Sequence, residues 1–289
     1  MPRSHPPTLL TLAHRLVRDE RLFTRGDRVL CACSGGTDSQ ALLHALALLR
    51  ARIGHELCAV GVDHGLRPEA AAELDRARAL AAAHGVPFRA VRVGLAAGPN
   101  LQARARAARH HALGLAAQEA GARVIALGHT ADDRAETLLL RLLRGAGPAG
   151  LGVMPARSAA PVEPGVPLVR PLIAARRSDV TAHLARHRVP FAIDPSNADR
   201  RFLRVRVRLE LLPLLESLSP GIVPHLCALA DMLRAVAAPV SGLGRAHRRA
   251  LERAGRLGRP SLRLRLEGGR DVDVDVRTVL AALGRAGPP

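Results

Sequence analysis

An α/β fold, with helices covering a parallel sheet and a small C-terminal appendage, is what this sequence predicts. Short apolar runs alternate with longer segments whose apolar residues recur every three or four positions, the pattern of strands joined by helices. The first run ends in a junction rich in Gly and Ser, where such sheets place their ligands. Beyond Ser219-Pro220-Gly221 the pattern changes to a short helix and a strictly alternating segment.

Taken in order, Arg28–Cys33, Leu57–Val62, Phe88–Val93 and Arg123–Gly128 read as strands, and Gln40–Arg52, Pro68–His84 and Leu101–Ala120 as helices. The strands are near-continuous apolar runs, as expected where both faces of a parallel sheet are covered. Gly145–Pro167 is rich in Gly and Pro and reads as a long loop or lid. Arg176–Arg188 is a further helix. Asp194-Pro195-Ser196-Asn197 is a turn into an Arg-rich helical region ending near Leu218. The expected division is therefore a catalytic domain over 1–220 and a small unit over 221–289. In that unit "SLRLRLEGGRDVDVDV" predicts a β-hairpin. A three-residue loop, Gly268–Arg270, would set Leu266 against Val272, Arg265 against Asp273, Leu264 against Val274 and Arg263 against Asp275. One face would be apolar and the other an Arg–Asp ladder.

Composition narrows the function. The chain of 289 residues is 48% hydrophobic, which fits a folded globular protein. No window approaches the apolar length of a membrane span. The apolar run after Arg3 is cut by His14 and Arg15, too short for a secretory signal. The four cysteines include no CxxC pair, and Cys31 and Cys33 fall in a strand, so neither a disulfide framework nor a zinc or redox site is expected. A reducing, cytoplasmic setting fits. The formal net charge of +18 points to a polyanionic partner, nucleic acid first. All 43 basic residues are Arg, which excludes a lysine Schiff base or phosphate clamp. With no Trp or Tyr, base-stacking platforms are poorly supplied, so contacts would run through Arg and phosphate.

The junction Ser34-Gly35-Gly36-Thr37-Asp38-Ser39 can cradle phosphates. Glycines permit close backbone approach, and N–H groups at a helix start attract an anion. Ser34, Thr37 and Ser39 add hydroxyls, and Asp38 can hold Mg²⁺. A tight turn with an ordinary helix cap is the simpler alternative. At the later strand ends, Asp63 could cap a turn, and His129 could be a general base or a hydrogen-bonded strand-end histidine. Thr130 and Asp133 have capping-box spacing. Asp132, Asp133 and Glu136 are more acids than one cap needs, and Asp133 and Glu136 share a helix face.

The stretch "SGGTDS" resembles the loop of the N-type ATP pyrophosphatases, the PP-loop family. "VDHGLRPEA" (62–70), "GHTADDRAETLLLRLLRGAGPAGL" (128–151) and "DPSNADRRFLRVRVR" (194–208) narrow the resemblance to the tRNA(Ile)-lysidine synthases. It covers residues from about 29 to 215. The resemblance implies a Rossmann-like, nucleotide-binding sheet using ATP and Mg²⁺, the metal held by Asp38. ATP would adenylate the wobble cytidine of a tRNA(Ile) with a CAU anticodon, and free L-lysine would displace AMP. On that reading Ser34–Ser39, Asp63, His64, Gly128 and His129 bind the nucleotide. Asp133 and Glu136 receive the lysine ammonium, and Arg109 joins Asp38 in catalysis with Arg106 as its Arg-x-x-Arg partner. His110 stands where an aromatic is commoner. Arg200, Arg204 and Arg206 would hold tRNA, with Arg201 standing where the family has Asn. Within the tail, where aspartates neutralise Arg263 and Arg265, the stretch Arg245–Arg259 is the better tRNA surface. No membrane partner is expected, and a homodimer is the assembly to look for. Two alternatives stay open: an enzyme like tRNA 2-thiocytidine synthetase, which needs a cysteine cluster, and a non-enzymatic nucleotide-binding module.

Overall fold

A six-stranded sheet organises the first unit of the chain, its strands lying side by side in the order Phe88–Arg92, Glu56–Asp63, Arg28–Ala32, Val124–Ala126, Leu168–Val169 and Arg157–Ser158. The computed structural model describes residues 7–63, 65, 70–94, 98, 101–161, 165–192, 199–237, 245–265 and 271–282. The chain divides into two compact units, Met1–Asp133 with Met154–Asp199, and Arg134–Val153 with Arg200–Pro289.

In the first unit, β1 (Arg28–Ala32), β2 (Glu56–Asp63), β3 (Phe88–Arg92) and β4 (Val124–Ala126) lie where the apolar runs placed them. β1 pairs in parallel with both β2 and β4. Val29, Leu30 and Cys31 are inaccessible to solvent, which accounts for the unbroken apolar reading. The connecting helices are α2 (Thr37–Ile53), α3 (Ala70–Ala83) and α4 (Leu101–Glu119), and α7 (Arg177–His187) follows later. Because β1 lies between β2 and β4, the chain direction of the crossovers reverses at the β1–β4 edge. That is the crevice where open α/β sheets bind ligands.

Three elements of this unit, a first helix and two short strands, are additional to those expected. α1 (Leu9–Asp19) buries Leu9, Ala13 and Val17 at four-residue spacing, with Thr8 Oγ1 accepting the Thr11 N–H at its start. The segment 145–167, expected as a loop or lid, holds the short helix α6 (Pro148–Leu151) and the strand β5 (Arg157–Ser158). β5 pairs antiparallel with β6 (Leu168–Val169), which itself runs parallel to β4. Strands of two residues are too short to carry a period.

The second unit begins within α5 (Ala131–Leu142) and contains α6. It continues through α8 (Leu203–Arg206), a π-helical turn (Val207–Leu211) and α9 (Leu212–Leu218) into α10 (Ile222–Ala237). Arg134 is buried here, donating through Nε to the Val153 carbonyl and through both terminal nitrogens to Asp231 at 2.9 and 2.6 Å. Ser219-Pro220-Gly221, expected as a domain boundary, is the turn between α9 and α10 inside this unit. The end of the chain packs α11 (Arg245–Arg256) and α12 (Val276–Ala282) on the hairpin β7 (Ser261–Arg265) and β8 (Asp271–Asp275). Leu251, Ala254, Leu264, Val274, Val276 and Val279 form a small core.

The hairpin register corrects the expectation. Arg265 faces Asp271, Arg263 faces Asp273, and Leu264 faces Val272. The strands are thus offset by two residues from the three-residue-loop register, and 266–270 lie outside the described residues. A shift of two preserves which face each side chain occupies, so the apolar face and the Arg–Asp face survive unchanged. Facial pattern alone cannot choose between registers two apart. Arg263 and Asp273 close the ladder with two hydrogen bonds of 2.9 Å.

Burial first, then neighbouring histidines or Arg50, lowers His44, His183 and His55 from an ordinary 6.5 to about 4. The unfolded chain therefore binds more protons than the native one between those values, and stability rises with pH across that window. Thermal midpoints should be highest above pH 6.5 and fall as the pH drops towards 4. A midpoint that is unchanged between pH 7.5 and pH 5 would contradict the burial of these imidazoles as neutral groups.

Candidate nucleotide and acid sites

The loop after β1 is held by its own hydroxyls and by two close backbone approaches. Ser34 N–H donates to Ser39 Oγ at 3.2 Å, and Ser39 Oγ donates to the Gly36 carbonyl at 2.9 Å. Gln40, fully buried, donates to the Pro190 carbonyl at 3.1 Å and accepts from Cys33 Sγ at 3.4 Å. Ala192 N–H reaches the Gly35 carbonyl at 2.9 Å. Gly35 has φ +86°, and a Cβ there would lie 2.0 Å from the Glu73 carbonyl oxygen. A Cβ on Gly128, at the end of β4, would lie 2.8 Å from the Asp38 carbonyl oxygen. Gly36 differs: it has φ −78°, and its nearest such neighbour is Ser34 Oγ at 3.8 Å.

Gly36 is the N-cap of α2, and no side chain caps this helix. A 17-residue helix thus offers its first N–H groups and the positive end of its dipole at the β1–β4 crevice. Asp38 stands in the first turn with Thr37 and Ser39 beside it. These side chains and Ser34 supply oxygen donors only, the set that suits Mg²⁺. Burial pushes the Cys33 thiol up to about 11, so no thiolate nucleophile operates at this loop.

The remaining strand ends are less uniform. Asp63 Oδ1 accepts the Gly65 N–H at 2.8 Å, so Asp63 closes the turn after β2. His64 lies outside the described residues. Gly128 and half-buried His129 follow β4. Thr130 N–H and Oγ1 both donate to Asp133 Oδ2, at 3.0 and 3.1 Å, and the Asp133 N–H donates back to Thr130 Oγ1 at 3.4 Å, the capping box that starts α5. Asp133 Oδ1 also lies 3.5 Å from Arg177. Asp132 accepts the Arg177 N–H at 2.7 Å and the Arg176 Nη2 at 3.0 Å. Burial raises the Asp132 carboxyl, but the Arg176 and Arg177 contacts outweigh it and hold it below the usual range. Arg109, half-buried on α4, pairs with no carboxylate among the described residues. Burial and then Arg106 hold its guanidinium below the ordinary value.

In the second unit, Glu136 has no solvent-accessible surface. Arg208 donates to Oε1 at 2.7 Å and to Oε2 at 3.0 Å, and Arg204 donates to Oε2 at 3.1 Å. Arg200 and Arg206 lie 3.8 and 3.1 Å from Glu210, with most of their surface exposed. Sequence reasoning named the acids and the outer arginines but not Arg176, Arg177 or Arg208 as their partners. The i, i+4 spacing of Arg204 and Arg208 was the available signal.

A profile of the PP-loop domain family matches residues 10–215. The chain is similar to the tRNA(Ile)-lysidine synthase of Rhodopseudomonas palustris, 44% identical over 215 residues, which cover 73% of this chain and 60% of that protein. To the tRNA(Ile)-lysidine synthase of Gloeobacter violaceus it is 38% identical over 255 residues, 88% of this chain and 77% of that protein. Of several such relatives, the chain spans only about 60% of the length. Among solved structures it is similar in fold to the U34-tRNA thiolase NcsA from Methanococcus maripaludis with its [4Fe-4S] cluster. That likeness has TM-score 0.65 and 19% identity, covering 78% of this chain and 79% of the other.

The two loop glycines should separate under mutation. Gly35→Ala should cost roughly 1–3 kcal/mol or more in urea unfolding, from overpacking and a left-handed φ. Gly36→Ala should leave stability within roughly 0.5 kcal/mol, as for a substitution into open space. Equal effects would refute the packing assigned to Gly35. Glu136→Gln should destabilise by roughly 3 kcal/mol, at the low end for a broken buried pair because Arg204 is 43% exposed. An unchanged denaturation midpoint would show that the two guanidiniums do not depend on that charge.

Proposed function

This chain belongs to the PP-loop family and, within it, to the tRNA(Ile)-lysidine synthases, and we propose that it catalyses their two-step ligation. ATP adenylates the C2 carbonyl oxygen of the wobble cytidine in a tRNA(Ile) with a CAU anticodon, and pyrophosphate leaves. The amine of free L-lysine then attacks C2 and AMP leaves, giving lysidine. The observation that carries the proposal is the uncapped start of α2, set at the sheet's switch point by a loop of the PP type.

The residues divide the work by charge. The N–H groups of Gly36 to Ser39 and the hydroxyls of Ser34, Thr37 and Ser39 hold the leaving pyrophosphate. Asp38 would hold Mg²⁺, which when bound neutralises phosphate charge. Recognition of the adenosine is assigned to Asp63, His64, Gly128 and His129. Arg109, a half-buried cation, suits a phosphate better than solvent. The lysine ammonium falls to Asp133 and Glu136, which position the amine. Each is already paired with arginine, so the ammonium enters by exchange with a guanidinium. Arg200, Arg204, Arg206 and the stretch Arg245–Arg259 supply tRNA phosphate contacts. A cytoplasmic, homodimeric enzyme is the setting we infer; no single described helix is long and apolar enough to cross a membrane.

Purified chain supplied with MgATP and the tRNA should release AMP only when lysine is present, and labelled lysine should enter the tRNA. AMP release indifferent to lysine would contradict the reading. Asp38→Ala should abolish ATP–pyrophosphate exchange while the chain still folds, because it removes an oxygen donor and no core volume. Retained exchange at ordinary Mg²⁺ would remove Asp38 from the site.

A further inference from the structure

Two guanidiniums share the one buried carboxylate of Glu136, and they hold it unequally. Arg208 reaches both oxygens, Nε to Oε1 at 2.7 Å and Nη2 to Oε2 at 3.0 Å, and its side chain is 22% exposed. Arg204 donates through Nε to Oε2 at 3.1 Å, and its side chain is 43% exposed. The two arginines stand four residues apart, Arg204 on the four-residue helix α8 and Arg208 in the π-helical turn that follows. Such turns recur at functional sites. All three residues belong to the second unit.

This contact constrains how a further cation can reach Glu136. A carboxylate without solvent-accessible surface keeps its charge only while a cation lies against it, so one arginine has to stay. The contact already sets two positive charges against one negative. A third cation on the same carboxylate would be repelled by both guanidiniums, so one of them has to leave. Geometry picks which. Arg208 is the more buried and grips both oxygens, whereas Arg204 is nearly half in solvent and can withdraw into water. A phosphate offers the departing guanidinium a charge-assisted, bidentate alternative. Arg204 is also one of the residues to which tRNA phosphate contact is assigned above. One side chain therefore serves two anions that compete for it.

We propose that Arg204 is a positioning residue that orders the two substrates. It occupies the ammonium place on Glu136 until a tRNA phosphate draws it away, and lysine then takes that place beside Arg208. The proposal rests on the ligation reading above and adds a coupling to it. By linkage the coupling is reciprocal, so lysine tightens tRNA by the same factor by which tRNA tightens lysine. The amine is thereby kept off its acid until the cytidine it attacks has arrived.

The test is calorimetric titration of the full chain with lysine, without ATP so that nothing turns over, alone and with saturating tRNA. The parent should bind lysine roughly fivefold or more tighter with tRNA, the lower end of ordinary allosteric coupling. Arg204→Met keeps an unbranched stem and removes the guanidinium. It should bind lysine without tRNA as tightly as the parent does with it, and tRNA should no longer change that affinity. Arg206→Gln, which alters an arginine paired with Glu210, should weaken tRNA binding but keep the tightening once tRNA is saturating. Parent affinities equal with and without tRNA, tightening that survives in Arg204→Met, or tightening lost in Arg206→Gln would overturn the proposal. The parent titrations, in both directions, stand even if Arg204→Met does not fold. Failure of the ligation reading shows separately, as labelled lysine that never enters tRNA in the parent with MgATP, and would remove both.

Discussion

Two points where backbone meets backbone without room for a Cβ fix everything else at the sheet edge. Gly35 lies against the Glu73 carbonyl and Gly128 against the Asp38 carbonyl. Between them the start of α2 is pressed towards the end of β4, while Gly36 faces open space. Overpacking at such points is costly because the facing atoms are main chain and cannot turn aside. The loop's shape rests on that steric exclusion together with its own hydroxyl hydrogen bonds, and no side chain caps the start of α2.

Charge is managed by pairing buried acids with arginine. Asp132 takes Arg176 and the Arg177 N–H, Glu136 takes Arg204 and Arg208, and Arg134 takes Asp231. Each pair sets a forked guanidinium donor against a carboxylate, a geometry that guanidinium suits better than ammonium does. In a chain whose 43 basic residues are all Arg, an incoming lysine would bring the only primary ammonium side chain to those acids. Exchange of a guanidinium for that ammonium is a chemically distinct event, and it would couple lysine binding to release of arginine from the acid.

The four central strands and their helices were legible because parallel strands buried on both faces read as apolar runs, and their helices keep a 3.6-residue period. Two-residue strands such as Arg157–Ser158 carry no period, and a hairpin shifted by two residues keeps the same facial pattern. At the site, the Gly-Gly loop and the Thr130–Asp133 box could be read because their function is local in sequence. The partners of Asp132 and Glu136 lie 44 and 72 residues away along the chain. With 43 cations for 25 acids, composition leaves such pairings degenerate. The closeness of Gly35 to Glu73 was likewise hidden, since a loop glycine announces a need for space but not what fills it.

The central claim is that the amides at the start of α2 bind the phosphates of ATP. Hydrogen–deuterium exchange of the full chain, with and without MgATP, tests it at those atoms. Exchange should slow at Gly36–Ser39 on nucleotide addition while the amides of β7 and β8 stay unchanged. Equal exchange at Gly36–Ser39 with saturating MgATP would contradict it.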